Sequence, residues 1–344
     1  MFTILKIISF LFILHSGQAI SAQTFSNLTK LLGSSDHNKL HNLKALGPLN
    51  PQTYLNITLV TGSLANSQLL AQYFSSLEQN LTLIEETNVH LKIRAMVSQF
   101  SQIFNTKFVE YECSTNKLCF ATTSEVYMPH ALHSCIIGIL GLEQVISFKP
   151  NYKIMEKLNI TSSRLPKNSY LLGSQAAQIY GAPMSTGKNV CIGIVTLGGY
   201  FMQSDLDDFF TYSNLGTAPP IKIAYVDGAK QDPSEDPSEN YLDVEIISSV
   251  VPQAIITFYF APKTTLGLYD GIAAALHYSD VVSLSWGSRE DNNIQSIANS
   301  YQTLLASYNN IPIFVATGDF GAYDKFTKKI SVGFPASCPN AIGN

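Results

Sequence analysis

From residue 169 onward, short apolar runs alternate with stretches of helical spacing. Residues 190–197 are almost continuously apolar and run into Gly198-Gly199. Further apolar runs at 221–226, 254–260, 281–285 and 313–316 read as strands. Between them, 204–212, 238–251, 266–277 and 293–308 carry apolar positions three and four apart, the mark of an amphipathic helix. Ser204 stands at an N-cap position of the first of these, with Asp207 three residues on. Strands alternating with helices predict βαβ units and a mainly parallel sheet. In such sheets, functional groups gather beyond the C-terminal ends of the strands.

Residues 23–165 have a different texture. Runs at 55–60 and 91–97 read as strands, and 67–79 has helical spacing, with Leu69, Leu70, Tyr73, Phe74 and Leu77 apolar. Segments 107–111 and 118–122 suit a hairpin around Cys113 and Cys119, which are placed to close a small loop as a disulfide. This is a small α+β pattern with no catalytic cluster of its own. Residues 159–168 are polar, with one proline, and read as an exposed linker open to proteolytic nicking. The chain opens on Lys6, an apolar run at 7–14 and small residues at Gly17, Ala19, Ser21 and Ala22. That is the pattern of a cleaved secretory signal, and the run is far too short to span a bilayer. The expected division is therefore 1–22 signal peptide, 23–165 first domain and 166–344 second domain.

Composition adds exclusions. Hydrophobic residues make up 46% of the chain and charged residues 13%, a globular balance. The net charge is −4 and no Lys/Arg run stands out, which argues against nucleic acid as a partner. No later segment is apolar enough for a membrane span once the signal is removed. Asn-x-Ser/Thr sequons at Asn27, Asn56, Asn80 and Asn159 fit passage through a secretory path. Cys191 lies in an apolar run and reads as a buried small hydrophobe. No CxxC or HExxH occurs, so no zinc site is expected.

Two acidic features carry candidate chemistry. Glu239 and Asp243 are four apart and share a helix face. Asp236-Pro237-Ser238-Glu239 also suits an ordinary helix start, which accounts for Glu239 but leaves Asp243 repelling it. The chemical reading is a relay in which crowding raises one carboxyl pKa and the other acid orients it as a general base. Farther on, the apolar strand before Thr317-Gly318 ends at Asp319, at the mouth of the predicted sheet. A strand-to-turn Gly-Asp is common; a protonated Asp there is also able to donate to an oxyanion. His277 is the only histidine after residue 165 and suits a helix C-terminus, and no G-x-S-x-G elbow occurs, so a Ser-His-Asp hydrolase is disfavoured. Asp270, Asp280 and the trio Asp232, Glu235 and Asp236 read as structural or solvated. A glycosidase is disfavoured as well, because its two acids must flank a sugar.

The set Glu239-x-x-x-Asp243, Val281-Val282-Ser283-Leu284-Ser285-Trp286-Gly287 and Ala316-Thr317-Gly318-Asp319-Phe320-Gly321 resembles the sedolisins, the serine-carboxyl peptidases. Gln178-Ile179-Tyr180-Gly181 resembles the start of their catalytic domain, Leu46-Gly47-Pro48-Leu49 their activation propeptide, and Phe334-Pro335-Ala336-Ser337 the segment after the oxyanion aspartate. The resemblance implies an α/β fold: a subtilisin-like parallel sheet with flanking helices, N-terminal half only, preceded by a small α+β ferredoxin-like propeptide domain. It implies a secreted zymogen of a serine-type endopeptidase that acts on polypeptides at acidic pH, outside the cell or in a lysosome- or vacuole-like compartment. Glu239 matches the family's base, Asp243 its relay acid and Asp319 its oxyanion donor. The family's serine lies in a Gly-Thr-Ser segment, which does not occur in this sequence, and its calcium ligands also lie in a part not matched here. The sequence is therefore expected to be a fragment that is inactive alone, with a truncated pseudoprotease or peptide-binding inhibitor as the alternative.

Overall fold

The structure is a computed structural model. It describes residues 28–30, 40, 43–77, 80–114, 117–145, 148–150, 171–183, 185–290, 292–323 and 330–344. The expected signal (1–22), the linker (159–168) and sequons Asn27 and Asn159 lie outside the described residues.

The N-terminal half runs β1 (Leu28–Lys30), β2 (Lys44–Pro48), β3 (Tyr54–Thr61), α1 (Leu64–Ser76), β4 (Thr82–Glu86), β5 (His90–Met96), α2 (Val97–Ile103), β6 (Phe108–Ser114), β7 (Lys117–Thr122), β8 (Tyr127–Pro129), α3 (His130–His133) and β9 (Ile136–Leu140). Strands pair antiparallel in the order β4-β5-β3-β9. With α1 and α2 as crossovers, this is the ferredoxin-like arrangement. One face of the sheet turns Leu55, Ile57, Leu59, Leu91, Ile93 and Ala95 onto Leu70, Phe74 and Phe100 of the two helices. Helix α1 begins three residues before its predicted start because the Ser63 hydroxyl accepts from the Asn66 amide and caps it there. The predicted hairpin is β6–β7, and Cys113 and Cys119 are joined as a disulfide.

Strand β10 (Lys149–Pro150) ends the described part of the first half, and the second half contains α4 (Gly173–Ile179), β11 (Cys191–Thr196), α5 (Gln203–Tyr212), β12 (Lys222–Tyr225), α6 (Ser238–Val250), β13 (Ile255–Phe260), α7 (Thr265–Tyr278), β14 (Val281–Leu284), β15 (Trp286–Arg289), α8 (Asn292–Ser307), β16 (Ile313–Val315), β17 (Gly333–Phe334) and β18 (Ile342–Gly343). Six strands form a parallel sheet in the order β12-β13-β11-β14-β16-β18. Ile192, Ile194, Ile256 and Phe258 pack against Leu206, Phe210 and Val244 of α5 and α6. Val195, Val282 and Ile313 pack on the other side, against Leu268, Tyr269, Tyr301 and Leu304 of α7 and α8. Burial on both faces explains why these strands read as continuous apolar runs.

The first helix of this half starts at Gln203 with Met202 at its N-cap, so Ser204 is not the cap; its hydroxyl contacts Asp205 instead. The two halves share one core. Val60, Leu140 and Phe148 of the first half lie in the cluster that holds Leu268, Tyr269 and Ile272 of the second. Among the described residues, no helix is long and apolar enough to cross a membrane.

Candidate active site

The C-terminal ends of the parallel strands converge on the start of α6. After β11 the chain turns through Gly198 and Gly199, and Gly199 has φ +69°. A Cβ there would lie 3.0 Å from both the Asn240 amide nitrogen and the Asp236 carbonyl. Asn240, which is 1% exposed, donates to the carbonyls of Gly198 (3.0 Å) and Tyr200 (3.2 Å) and accepts from Thr196 Oγ1 (2.6 Å). These bonds fix the first turn of α6 against the sheet, and with it the adjacent Glu239. The helix starts one residue later than the sequence suggests: Pro237, not Asp236, holds the N-cap position with no side-chain cap bond, and the Asp236 carboxylate accepts from the Ser238 amide at 3.0 Å in an Asx turn just before it.

Glu239 is 7% exposed, and its Oε2 is buried with no hydrogen-bond partner. Asp243, one turn on, has its Oδ2 equally sealed and partnerless, while its Oδ1 accepts from Ser285 Oγ at 2.7 Å. Ser285 lies just beyond β14. Burial pushes the Glu239 carboxyl up to about 7; the neighbouring Asp243 charge adds to this, a Ser285 hydrogen bond opposes it, and the Asp319 charge adds again. Asp243 is also pushed up to about 7, by burial, against the Ser285 hydrogen bond. One hydroxyl has one proton. Ser285 gives it to only one of the two carboxyls at a time, so its bond favours the ionised form of one acid while the other keeps a proton. The arrangement thus favours one shared proton on the acid pair, a state set by the pair and not by either residue alone.

Asp319, four residues beyond β16, lies close enough for its charge to be felt at Glu239. The three predicted acids are therefore brought together, and Ser285 with them. The structure adds a flanking group. Lys263 Nζ donates to Glu235 Oε2 at 2.6 Å and stands 5.3 Å from the centre of the Trp286 ring. Glu235 also accepts from the Gly199 amide at 3.0 Å, so it is a half-buried brace, not the solvated loop residue expected from sequence. Asp232 and Asp236 cap local serine turns, and Asp280 accepts from the Cys191 amide at 2.8 Å. Ser285, Asn240 and Lys263 carry no sequence signal of a site, since each acts through a partner more than 20 residues away.

A short three-stranded sheet, in the order β10-β15-β17, borders the site. Lys149 and Pro150 pair antiparallel with Gly287 and Trp286 of β15, immediately after Ser285. Among the described residues, no three His, Cys, Asp or Glu side chains converge as a metal site would need.

Comparisons with known proteins bear on both halves. Residues 47–145 match the family described as pro-kumamolisin, activation domain. Kumamolisin of Bacillus sp. (strain MN-32) is 30% identical over 235 residues, covering 63% of this chain and 42% of that protein. Sedolisin of Pseudomonas sp. (strain 101) is 25% identical over 265 residues, covering 70% of this chain and 44% of that protein. The chain thus spans less than half the length of these relatives. Among solved structures, Pseudomonas sedolisin, a serine-carboxyl proteinase complexed with pseudo-iodotyrostatin, aligns with a TM-score of 0.44 at 25% identity over 50% of this chain and 52% of that one. The activation-domain match and the two relatives, which extend the likeness into the parallel sheet, support the sedolisin family with its activation domain.

Proposed function

We propose that this chain contributes the acidic part of a serine-carboxyl endopeptidase site and the propeptide that restrains it. The observation that carries the reading is the meeting of Glu239, Asp243 and Asp319 at the C-terminal ends of the parallel strands, with burial pushing both carboxyls of the acid pair up to about 7 and Ser285 donating to Asp243. A serine hydroxyl, assigned by the family resemblance to a Gly-Thr-Ser segment, attacks the peptide carbonyl. Glu239 takes its proton, Asp243 orients and balances Glu239, and Asp319 in its protonated form donates to the oxyanion. The proton returns through Glu239 to the leaving amine. The substrate backbone pairs on the edge of β15, where Lys149 and Pro150 now lie, so the end of the first half covers the strand that a peptide would use. A secreted product working in an acidic setting fits the need for a protonated Asp319 and the secretory pattern of the N-terminus.

The test is hydrolysis. A chain carrying the serine segment is expected to cleave an unfolded protein at acidic pH. Glu239→Ala or Asp243→Ala is expected to lower the rate by about 10²–10⁴-fold with the circular dichroism unchanged. Wild-type rates in both variants would sink the mechanism.

A further inference from the structure

Strand β5 alternates. Leu91, Ile93 and Ala95 fill the N-terminal core, while His90, Lys92 and Arg94 point the other way. Such a polar row ordinarily meets water. Arg94 does, but His90 is only 2% and Lys92 only 4% exposed, because the second half lies across them. The His90 ring packs edge-on to Tyr269 of α7, 5.7 Å between centres.

Beside it, Lys92 meets two carboxylates of the second half. Its ammonium donates to Asp270 Oδ2 at 2.6 Å, on α7, and to Asp227 Oδ1. Asp227 is presented by a tight turn, closed by the Ala229 amide on the Val226 carbonyl, with positive φ at both Asp227 and Gly228. The three side chains are 5%, 5% and 14% exposed for Lys92, Asp270 and Asp227. Burial first, then a hydrogen bond from Asp227, pushes the Asp270 carboxyl well above its usual range against the pull of Lys92.

We infer that Lys92 is the polar anchor by which the N-terminal half docks on the C-terminal half, with the Asp227–Asp270 pair as its receptor. The surrounding contacts, Val60, Leu140 and Phe148 on Leu268, Tyr269 and Ile272, supply apolar area but fix no register. The ammonium does. Sliding β5 by two residues would bring His90 or Arg94 to the carboxylates and leave Lys92 buried without a partner, a costly exchange. The surface formed by α7 and the Asp227 turn is therefore built to accept a strand carrying one lysine on an otherwise buried face. This assignment rests on the positions of these residues alone and holds whether or not the acid site is a peptidase.

Hydrogen exchange on the full chain near neutral pH tests it. In Lys92→Met, amides of β5 and α7 are expected to exchange at least ~10-fold faster, while β11 and β13 stay within about threefold of wild type. Adding Asp227→Asn and Asp270→Asn, so that no charge is stranded, is expected to restore most of that protection. Wild-type exchange in Lys92→Met, or a triple variant as loose as Lys92→Met alone, overturns the assignment. If Lys92→Met loses protection throughout, Asp227→Asn decides the matter, because it keeps the Lys92–Asp270 pair. There a speed-up of about threefold confined to β5 and α7 supports the anchor, and unchanged exchange rejects it.

Discussion

Glu239 and Asp243 hold their protons more tightly in the folded chain, near 7 for both, than at the roughly 4 of unfolded carboxyls. The folded state therefore binds more protons between these limits. The resulting stabilisation is fully present below about pH 4 and is lost as pH rises through about 7. Urea unfolding across that range is expected to show stability falling with pH, and the fall should shrink in the Glu239→Gln/Asp243→Asn chain. An unchanged slope would mean that the pair does not link to folding. Ser285→Ala removes the hydrogen bond that opposes both shifts, so both apparent pKa values are expected to move further up, by a direct carboxyl titration. At this scale the sequence displayed the three acids, because carboxylates four apart and a strand-end aspartate are local patterns. Ser285 was invisible as a site residue, since a hydroxyl at the end of an apolar strand means nothing until α6 is laid beside it.

Elements were legible where period and burial agree. Strands β11, β13 and β14 are apolar on both faces and lie within a residue or two of their predicted bounds. Strand β4 was not foreseen, because it is an exposed edge strand with no alternation to read. Strand β9, Ile136-Ile137-Gly138-Ile139-Leu140, is interrupted by a glycine whose reason lies in another element. A Cβ on Gly138 would stand 2.2 Å from Ser300 Oγ of α8, across the contact between the halves. Gly138→Ala is expected to cost about 1–3 kcal/mol in thermal or urea unfolding, the usual range for overpacking. Because the clash is with the hydroxyl and the Ser300 Cβ is 3.6 Å away, adding Ser300→Ala should recover most of that loss. No recovery would place the strain in the backbone instead.

For the whole molecule, the change in texture from an α+β stretch to alternating strands and helices was readable, and both patterns are present in the structure, but the way they join was not readable. The polar row His90-x-Lys92 reads as a solvated face until the second half covers it, and long-range burial leaves no periodic trace in a single strand. The joined state places the acid pair, the β15 edge and the end of the first half in one neighbourhood. The first half is docked through an apolar face and through Lys92, and its last described strand covers one edge of β15. Removing the first half is therefore expected to free one edge of β15, which stays paired with β17 on the other, while leaving the acid pair in place.

Glu239 and Asp243 form a buried acid pair and not merely a helix start. Carboxyl carbon resonances of the full chain, assigned through Glu239→Gln and Asp243→Asn and followed from pH 3 to 9, test it directly. The account predicts coupled steps with at least one midpoint near 7 and a shift of the partner's midpoint in each variant. Two independent carboxyls titrating near 4, each indifferent to loss of the other, would contradict it.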